Sequence, residues 1–222
     1  MSSAFTEQEL EQIANQLGKP QGADGIITAG RMAHTNNNMT QNTIAALELV
    51  EGDVVLEVGP GNGTHVKHLM GLAPGLRYYG VDISDLMVTE ATKINEADVK
   101  SGSASFELTP ANRLNFKTDF FDKIFTVNTL YFWEDPKAYA EEIRRVLKPG
   151  GIFCLAIATK EFMEGLPFTK YKFKLYDVQS VETLIREAGF AIADILLQKD
   201  LTTSHTGQAV DRDIIIVRAK KV

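Results

Sequence analysis

Val54-Val55-Leu56-Glu57-Val58-Gly59-Pro60-Gly61-Asn62-Gly63-Thr64 is the stretch on which the reading of this chain turns. A β-branched apolar run ends in an acidic residue and gives way to three glycines at alternate positions. That pattern reads as a buried parallel strand breaking into a tight turn and then a helix. Glycine reaches backbone angles closed to other residues and lets a ligand come close to the main chain. A ligand is therefore expected at this turn, with Glu57 facing the same crevice.

Working outward, Glu51-Gly52-Asp53 turns the chain into the strand, and Thr64 is expected to cap a helix through about Met70. The next strand is predicted at Leu76 to Val81 and ends at Asp82; Ser84 is placed to cap a helix towards Val99. This is a βαβ unit. Asp82 follows the glycine turn by about 20 residues, where a carboxylate can accept hydrogen bonds from ribose hydroxyls. Further strands are predicted at Ser103 to Leu108, Lys123 to Val127 and Ile152 to Ala158. Between the last two, Asp135 and Pro136 open a helix whose Tyr139, Ile143, Val146 and Leu147 recur at helical spacing as far as Lys148-Pro149-Gly150-Gly151. Val178 to Ala188 reads as a helix closed by Gly189. Strands Ala191 to Gln198 and Asp213 to Ala219, separated by a polar loop from Lys199 to Arg212, suggest an antiparallel hairpin at a sheet edge. The fold class is α/β, a doubly wound and mostly parallel sheet with an antiparallel C-terminal hairpin. Ligands of such sheets lie at the strands' carboxyl ends where the strand order reverses. Glu57, the three glycines, Asp82, Ala111 and Asn128 all fall on that rim.

At the N-terminus, Thr6 and Glu9 have capping-box spacing, and Leu10, Ile13, Ala14 and Leu17 share a helical face before Gly18 and Pro20. Gln21 to Gly30 reads as irregular. Arg31 to Asn38 reads as a polar loop whose asparagines cap a helix from Thr40 to Leu49, with a lid over the ligand as its functional reading. The expected organisation is an N-terminal helix and candidate lid over 1–39 and the ligand-binding domain over 40–222. From Lys160 to Asp177 aromatics alternate with lysines, as a half-buried flap or a single-strand nucleic-acid platform would require. The chain has 222 residues, with 23 basic against 29 acidic and a net charge of −6. That balance favours the flap and argues against nucleic acid and anionic membranes as partners. Cys154, the only cysteine, excludes an internal disulfide framework and a thiolate metal site, and reads as a small buried hydrophobe. No metal site is expected. Without a leader pattern or an apolar run of about 18 residues, a cytoplasmic location is expected.

Two cofactor classes suit a glycine turn followed by a ribose-binding acid. A dinucleotide turn wants G-x-G-x-x-G, whereas here the glycines are Gly59, Gly61 and Gly63, with Thr64 at the third dinucleotide position. Glu57 would repel a pyrophosphate, but favours a ligand with an amino group and a sulfonium. The residues resemble the class I S-adenosylmethionine-dependent methyltransferases of small-molecule, minimal-domain type. The likeness runs from about Thr40 to the C-terminus, on Val55 to Gly63, Gly80-Val81-Asp82-Ile83-Ser84, Phe121-Asp122-Lys123-Ile124, Val146-Leu147-Lys148-Pro149-Gly150-Gly151 and Glu187-Ala188-Gly189-Phe190.

The resemblance implies a Rossmann-like, seven-stranded sheet, S-adenosyl-L-methionine as cofactor, and methyl transfer to a small, partly apolar acceptor by in-line displacement. It implies cofactor contacts from Glu57, Gly59, Gly61, Asn62 and Gly63 around the methionine part, Asp82 on the ribose, Ile83 on the adenine, Ala111 beside it, and the Asn128 carbonyl near the amino group. Pro110 stands where many relatives have an acidic residue, which leaves adenine recognition to main chain, another side chain or water. His34, His65 and Tyr131 are candidates for a general base by location, His34 and Tyr131 foremost. Gln21 to Asn38 and Lys160 to Asp177 are expected to shape the acceptor pocket, in a monomer or homodimer; Tyr131, Phe132 and Trp133, after the fourth strand, read as wall of that pocket, as ring faces for the cation, or in part as core. A nicotinamide-dependent oxidoreductase and a non-catalytic S-adenosylmethionine-binding regulatory protein are the alternatives.

Overall fold

The computed structural model describes residues 5–110, 112–203 and 209–222. Three helices lead the chain: α1 (Glu7–Gly18), α2 (Gly22–Thr35) and α3 (Asn37–Ala46). Then come β1 (Val54–Val58), α4 (Val66–Met70), β2 (Arg77–Asp82), α5 (Asp85–Ile94), α6 (Glu96–Ser101), β3 (Ala104–Leu108) and β4 (Phe121–Val127). They are followed by α7 (Pro136–Val146), β5 (Leu147–Ala158), α8 (Lys160–Glu164), α9 (Val178–Glu187), β6 (Phe190–Thr203) and β7 (Ala209–Lys221). The described strands form one seven-stranded sheet in the order β3-β2-β1-β4-β5-β7-β6. β1 pairs in parallel with β2 and β4, so the strand order reverses beside the glycine turn. β7 runs antiparallel to both β5 and β6. The α/β class and the antiparallel hairpin are as the sequence predicts.

β1 is buried along its whole length, and its alternation divides the core. Val54, Leu56 and Val58 pack on one side of the sheet with Ile124, Phe153 and the α7 and α9 residues Ile143 and Ile185. Val55 packs on the other with Ile44, Leu47, Val66, Leu69 and Tyr78. Side chains two apart share a face, so Glu57 projects to the Val55 side, beneath α4. Cys154 belongs to that second cluster and is fully buried, and desolvation pushes its thiol up to about 12.

Local chemistry sets several helix starts as expected. Thr6 and Glu9 form the capping box of α1, Ser84 Oγ accepts from Met87 N, and Asp135 Oδ1 accepts from Ala138 N. Elsewhere the structure corrects the expectation. Residues 22–35 are helical, although the glycines there suggested an irregular segment. Gly25 explains this: a Cβ would lie 2.8 Å from Leu86 Cδ2 and 2.9 Å from the Pro20 carbonyl carbon, so this glycine lets α2 pack closely. Only Asn36 separates α2 from α3, and it caps neither with its side chain. His65, not Thr64, precedes α4, and the Thr64 hydroxyl bonds Asn62 Oδ1 instead. The helix expected to reach Val99 breaks at Asn95, whose amide donates to Gly63 O at 3.0 Å.

At the sheet edge, β6 and β7 continue well beyond Gln198 and Asp213 into what read as a loop, with Asp200 opposite Arg212. The Lys160 to Asp177 segment alternates as a flap should: Tyr171 and Phe173 are half-buried, and Lys170, Lys172 and Lys174 are exposed. Among the described residues no helix is long and apolar enough to cross a membrane.

Candidate active site

The strand ends β1, β2 and β4, together with α1 to α3, surround one open cleft of about 1150 Å³, mouth included. Its floor is the glycine turn. Gly59, Gly61 and Gly63 all have positive φ, at +76°, +56° and +66°. A Cβ on Gly59 would lie 2.4 Å from Thr129 Cγ2, so this glycine lets the turn press against the end of β4. A Cβ on Gly61 would meet nothing within 4 Å. Its bare face is open ligand space. Gly59 N is anchored to Val81 O at 2.8 Å, which ties the turn to β2.

Glu57 is 2 % exposed and yet holds two donors. The Tyr78 hydroxyl donates to Oε2, and His65 Nε2 lies 2.7 Å from the same oxygen. Tyr78 reaches it because it lies on the same face of β2 as Gly80, the residue beside Glu57 in the sheet. Burial drives the Tyr78 hydroxyl well above its ordinary value, and the Glu57 charge adds to this. For His65, burial opposes the charged form, but the attraction and hydrogen bond of Glu57 together outweigh it and raise the imidazole.

Asp82 ends β2 at 9 % exposure. Its carboxylate accepts from Ser84 N at 2.9 Å and Gly61 N at 3.3 Å. Desolvation dominates these bonds, with Glu57 adding to it, and raises the carboxyl to about 6. Ile83 follows at 40 % exposure, an apolar side chain on the cleft wall. Asn128 ends β4 in the left-handed region, φ +57°. Its Nδ2 donates to Asn36 Oδ1 at 3.1 Å, and its Oδ1 lies 3.2 Å from the Tyr131 hydroxyl, which shares its one proton between it and Ala158 O.

The structure thus gathers Glu57, Gly59, Gly61, Asn62, Asp82, Ile83 and Asn128 on one cleft. Gly63 lies just behind; a Cβ there would meet Asn95 Nδ2 at 3.0 Å and Ala91 Cβ at 3.1 Å, so this glycine lets the turn pack against the end of α5. Ala111 lies outside the described residues; nearby Thr109 lines the cleft. The two foremost base candidates lie elsewhere. Tyr131 is 2 % exposed, with its hydroxyl donating to Ala158 O and accepting from Ala158 N at 2.7 Å, and burial raises its proton affinity far above normal. His34 does not line the cleft but an adjoining polar depression with Asn38, Leu201 and Thr202, which shares Ala33, Asn37 and Thr64 with it. The histidine on the cleft is His65.

Residues from the segment Gln21 to Asn38 and the aromatics after β4, both expected at the acceptor pocket, complete the site together with Leu17, which the sequence placed only on a helix face. Leu17, Ala29, Met32, Asn36, Phe132 and Trp133 form its upper half, and Trp133 stacks on Tyr139 with ring centres 5.1 Å apart. The helical spacing of Ala29, Met32 and Ala33 was the available signal for the α2 contribution, obscured by the intervening glycine. Among the described lining residues there is no Lys or Arg. Nor does any group of three or more His, Cys, Asp or Glu among the described residues have the arrangement of a metal site.

The chain is similar to known proteins. The family described as "Methyltransferase domain" matches residues 56–155. The uncharacterized methyltransferase YdaC of Bacillus subtilis (strain 168) is 30% identical over 131 residues, covering 59% of this chain and 70% of that protein. Among solved structures, a chain of the complex between the Haloferax volcanii Trm112 methyltransferase activator and a methyltransferase superposes with a TM-score of 0.75 at 22% identity, over 99% of both chains. A SAM dependent methyltransferase from Aquifex aeolicus does so with a TM-score of 0.64 at 20% identity, over 99% of this chain and 100% of that one. At these identities the structures share the fold.

Proposed function

We propose, from the premise that the chain belongs to the class I S-adenosylmethionine-dependent methyltransferases, that its acceptor is a small, partly apolar molecule without an anionic group, methylated by in-line displacement. The observation behind this is the make-up of the cleft. One half is main chain and carboxylate, the other is Leu17, Ala29, Met32, Phe132 and Trp133, and no described lining side chain is a lysine or arginine to pair with a phosphate or carboxylate.

The cofactor fits the first half. The open face of Gly61 admits a ligand against the main chain, and Asp82 lines the same cleft at the end of β2, where a ribose diol could donate to its carboxylate. In this reading Asp82 accepts from the ribose hydroxyls and Ile83 packs on the adenine. Gly59, Gly61, Asn62 and Gly63 border the methionine part. Glu57, held by Tyr78 and His65, and the Asn128 carbonyl attract its amino end. When bound, S-adenosylmethionine supplies a methyl group already activated on a sulfonium sulfur. The protein's part is to align the acceptor and exclude water, and alignment of this kind is worth about 7–11 kcal/mol.

Deprotonation by a dedicated side chain is not built into this reading. Tyr131 is committed to Ala158, His34 lies off the cleft, and the raised proton affinity of His65 suits a partner for Glu57 better than a base. Residues 1–39 serve as the cap on the acceptor side, and 40–222 form the methyltransferase domain, with α3 crossing the boundary between them.

The test is S-adenosylhomocysteine release with matched acceptors that differ in charge: phenols, aliphatic amines, their carboxylated or phosphorylated counterparts, and lipidic alcohols. Turnover is expected with neutral or cationic members and not with anionic ones. Preferential turnover of the phosphorylated or carboxylated compounds would overturn the assignment of acceptor class.

A further inference from the structure

The far end of the β6–β7 hairpin holds a buried ion pair that neither folding nor the methyl-transfer site accounts for by itself. Arg212 is 6 % exposed and Asp200 2 %. Arg212 Nε donates to Asp200 Oδ2 at 3.0 Å, and Nη2 bonds the same oxygen. Asp200 Oδ1 is buried and has no partner among the described residues. A pair so desolvated, with an oxygen unsatisfied, is a poor source of stability, and apolar side chains of similar size would serve packing as well or better.

What an apolar pair could not do is direct hydrogen bonds, and two of the three remaining guanidinium N–H donors are directed at one place. Nη1 donates to Asn36 Oδ1 at 2.8 Å, and Nη2 donates to the Thr35 carbonyl at 3.0 Å. That place is the single-residue junction between α2 and α3. The Thr202 hydroxyl also bonds Thr35 O, and Asn38 Nδ2 donates to Leu201 O, so the hairpin grips the junction from several directions.

Asn36 passes this grip to the cofactor side of the cleft. Its Oδ1 accepts from Arg212 and from Asn128 Nδ2 together, which fixes the orientation of its amide. Asn128 adopts a left-handed conformation, uncommon outside glycine and one that asparagine takes more readily than most residues. Its Nδ2 is held by Asn36, while its Oδ1 shares the single Tyr131 hydroxyl proton with Ala158 O. Asn36 and Asn128 line the cleft, and Arg212 does not.

We propose that Arg212, acting through Asn36, is a positioning residue for cofactor binding. It fixes the α2–α3 junction and, through the Asn36–Asn128 amide pair, holds the β4 end in the conformation that presents the Asn128 carbonyl to the cofactor. This rests on the placement of S-adenosylmethionine in the cleft given above. Lysine at 212 would keep the charge opposite Asp200 but could not bond Asp200, Asn36 and Thr35 at once, because only the arginine fork has donors spread in that geometry.

The experiment is titration calorimetry of S-adenosylmethionine into the full chain, with melting curves as the folding control. The proteins are wild type, Asn36→Ala, Asn36→Asp, Arg212→Lys and the double variant Asn36→Ala/Arg212→Lys. Asn36→Ala and Arg212→Lys are each expected to raise Kd on the order of tenfold, the effect of losing one charge-assisted hydrogen bond. Acting in series, they should not multiply, and the double variant should lie within about twofold of the weaker single variant. Asn36→Asp keeps an acceptor for both Arg212 and Asn128, so at about 0.5 M salt, where the field of the added carboxylate is largely screened, it should bind several-fold more tightly than Asn36→Ala. Wild-type affinity in a folded Asn36→Ala protein, multiplication of the two losses, or an Asn36→Asp variant as weak as Asn36→Ala at that salt would overturn the proposal. Should Arg212→Lys not fold, the contrast between the two Asn36 variants decides by itself. Failure of the wild type to bind S-adenosylmethionine would overturn the cofactor placement, and this inference with it; normal wild-type binding with unaffected variants would overturn this inference alone.

Discussion

Asp82 sits at the end of β2 with two main-chain N–H donors on its carboxylate and little water around it, and those conditions pull its proton affinity in opposite directions. Burial wins, and the carboxyl stands at about 6 rather than near 3.8. The sign of the consequence follows from linkage. With the folded value raised, this group's contribution to stability is full below pH 3.8 and is lost as pH rises through about 6, so the free protein holds an ionised Asp82 at neutral pH at a cost. A ligand that donates two hydroxyls to the carboxylate favours the ionised form, so its binding should have the opposite pH dependence. S-adenosylmethionine affinity is expected to be level between pH 7 and 8 and to weaken below about pH 6, approaching tenfold per pH unit. Asp82→Asn should bind about tenfold to a hundredfold more weakly at pH 7.5, the loss of about 1.5–3 kcal/mol expected for hydrogen bonds to a charge. It should also flatten that part of the profile. Calorimetry across this range checks both, and a wild-type slope that survives in Asp82→Asn would move the titration to the His65–Glu57 pair.

At the scale of elements, Tyr131 shows how strand ends are joined beneath the cleft. It lies in the 3₁₀ turn Leu130–Phe132 after β4, and its hydroxyl takes both backbone groups of Ala158 at the end of β5. Tyr131→Phe would leave the buried Ala158 N–H without a partner. Urea denaturation should show a loss of about 1–3 kcal/mol, while turnover by the folded variant should fall far less than the roughly hundredfold or more that removing a general base entails. A large loss of turnover at unchanged stability would restore Tyr131 to the chemistry. That Tyr131 closes a strand end was hidden in Leu130-Tyr131-Phe132-Trp133, because an aromatic cluster after a strand reads equally as wall, base or core. The elements that were legible have short-range causes: β1 has its apolar run and glycines, α7 has Asp135 with Pro136, and α5 has Ser84. The same local rules misread α2, where tertiary packing of Gly25 against Leu86 and Pro20 overrides glycine's low helix propensity. They also stopped β6 and β7 short, since a polar run looks like a loop until Asp200 is seen opposite Arg212. Most cofactor contacts proposed for this site fall at strand ends and were visible in the chain, and the cap was legible as a lid though not as a helix; the Arg212–Asn36–Asn128 connection depends on contacts across more than 90 positions and was not.

For the molecule as a whole, charge is the property that joins the fold to the chemistry. The chain has a net charge of −6, and the cleft adds Glu57 and Asp82 with His65 as its partner and no described Lys or Arg on its walls. Such a field favours positively charged ligands at low ionic strength, since cleft walls of low dielectric concentrate it. S-adenosylmethionine carries a sulfonium charge that S-adenosylhomocysteine, formed when the methyl leaves, does not. The rest of the two ligands is the same, so their affinity ratio isolates the electrostatic part of recognition. At low salt the protein should prefer the donor over the product. Raising ionic strength shortens the screening length from about 30 Å at 0.01 M to about 3 Å at 1 M, so the preference should shrink by a factor of a few, chiefly through weaker donor binding. Paired calorimetric titrations from about 0.02 to 0.5 M salt, a range over which the screening length falls severalfold, measure this. A ratio that stays constant would mean that Glu57 and Asp82 act only through short hydrogen bonds. A ratio that falls would show that the same acidic field that disfavours anionic acceptors also helps to expel the spent, uncharged sulfur, so that acceptor selection and product release share one physical cause.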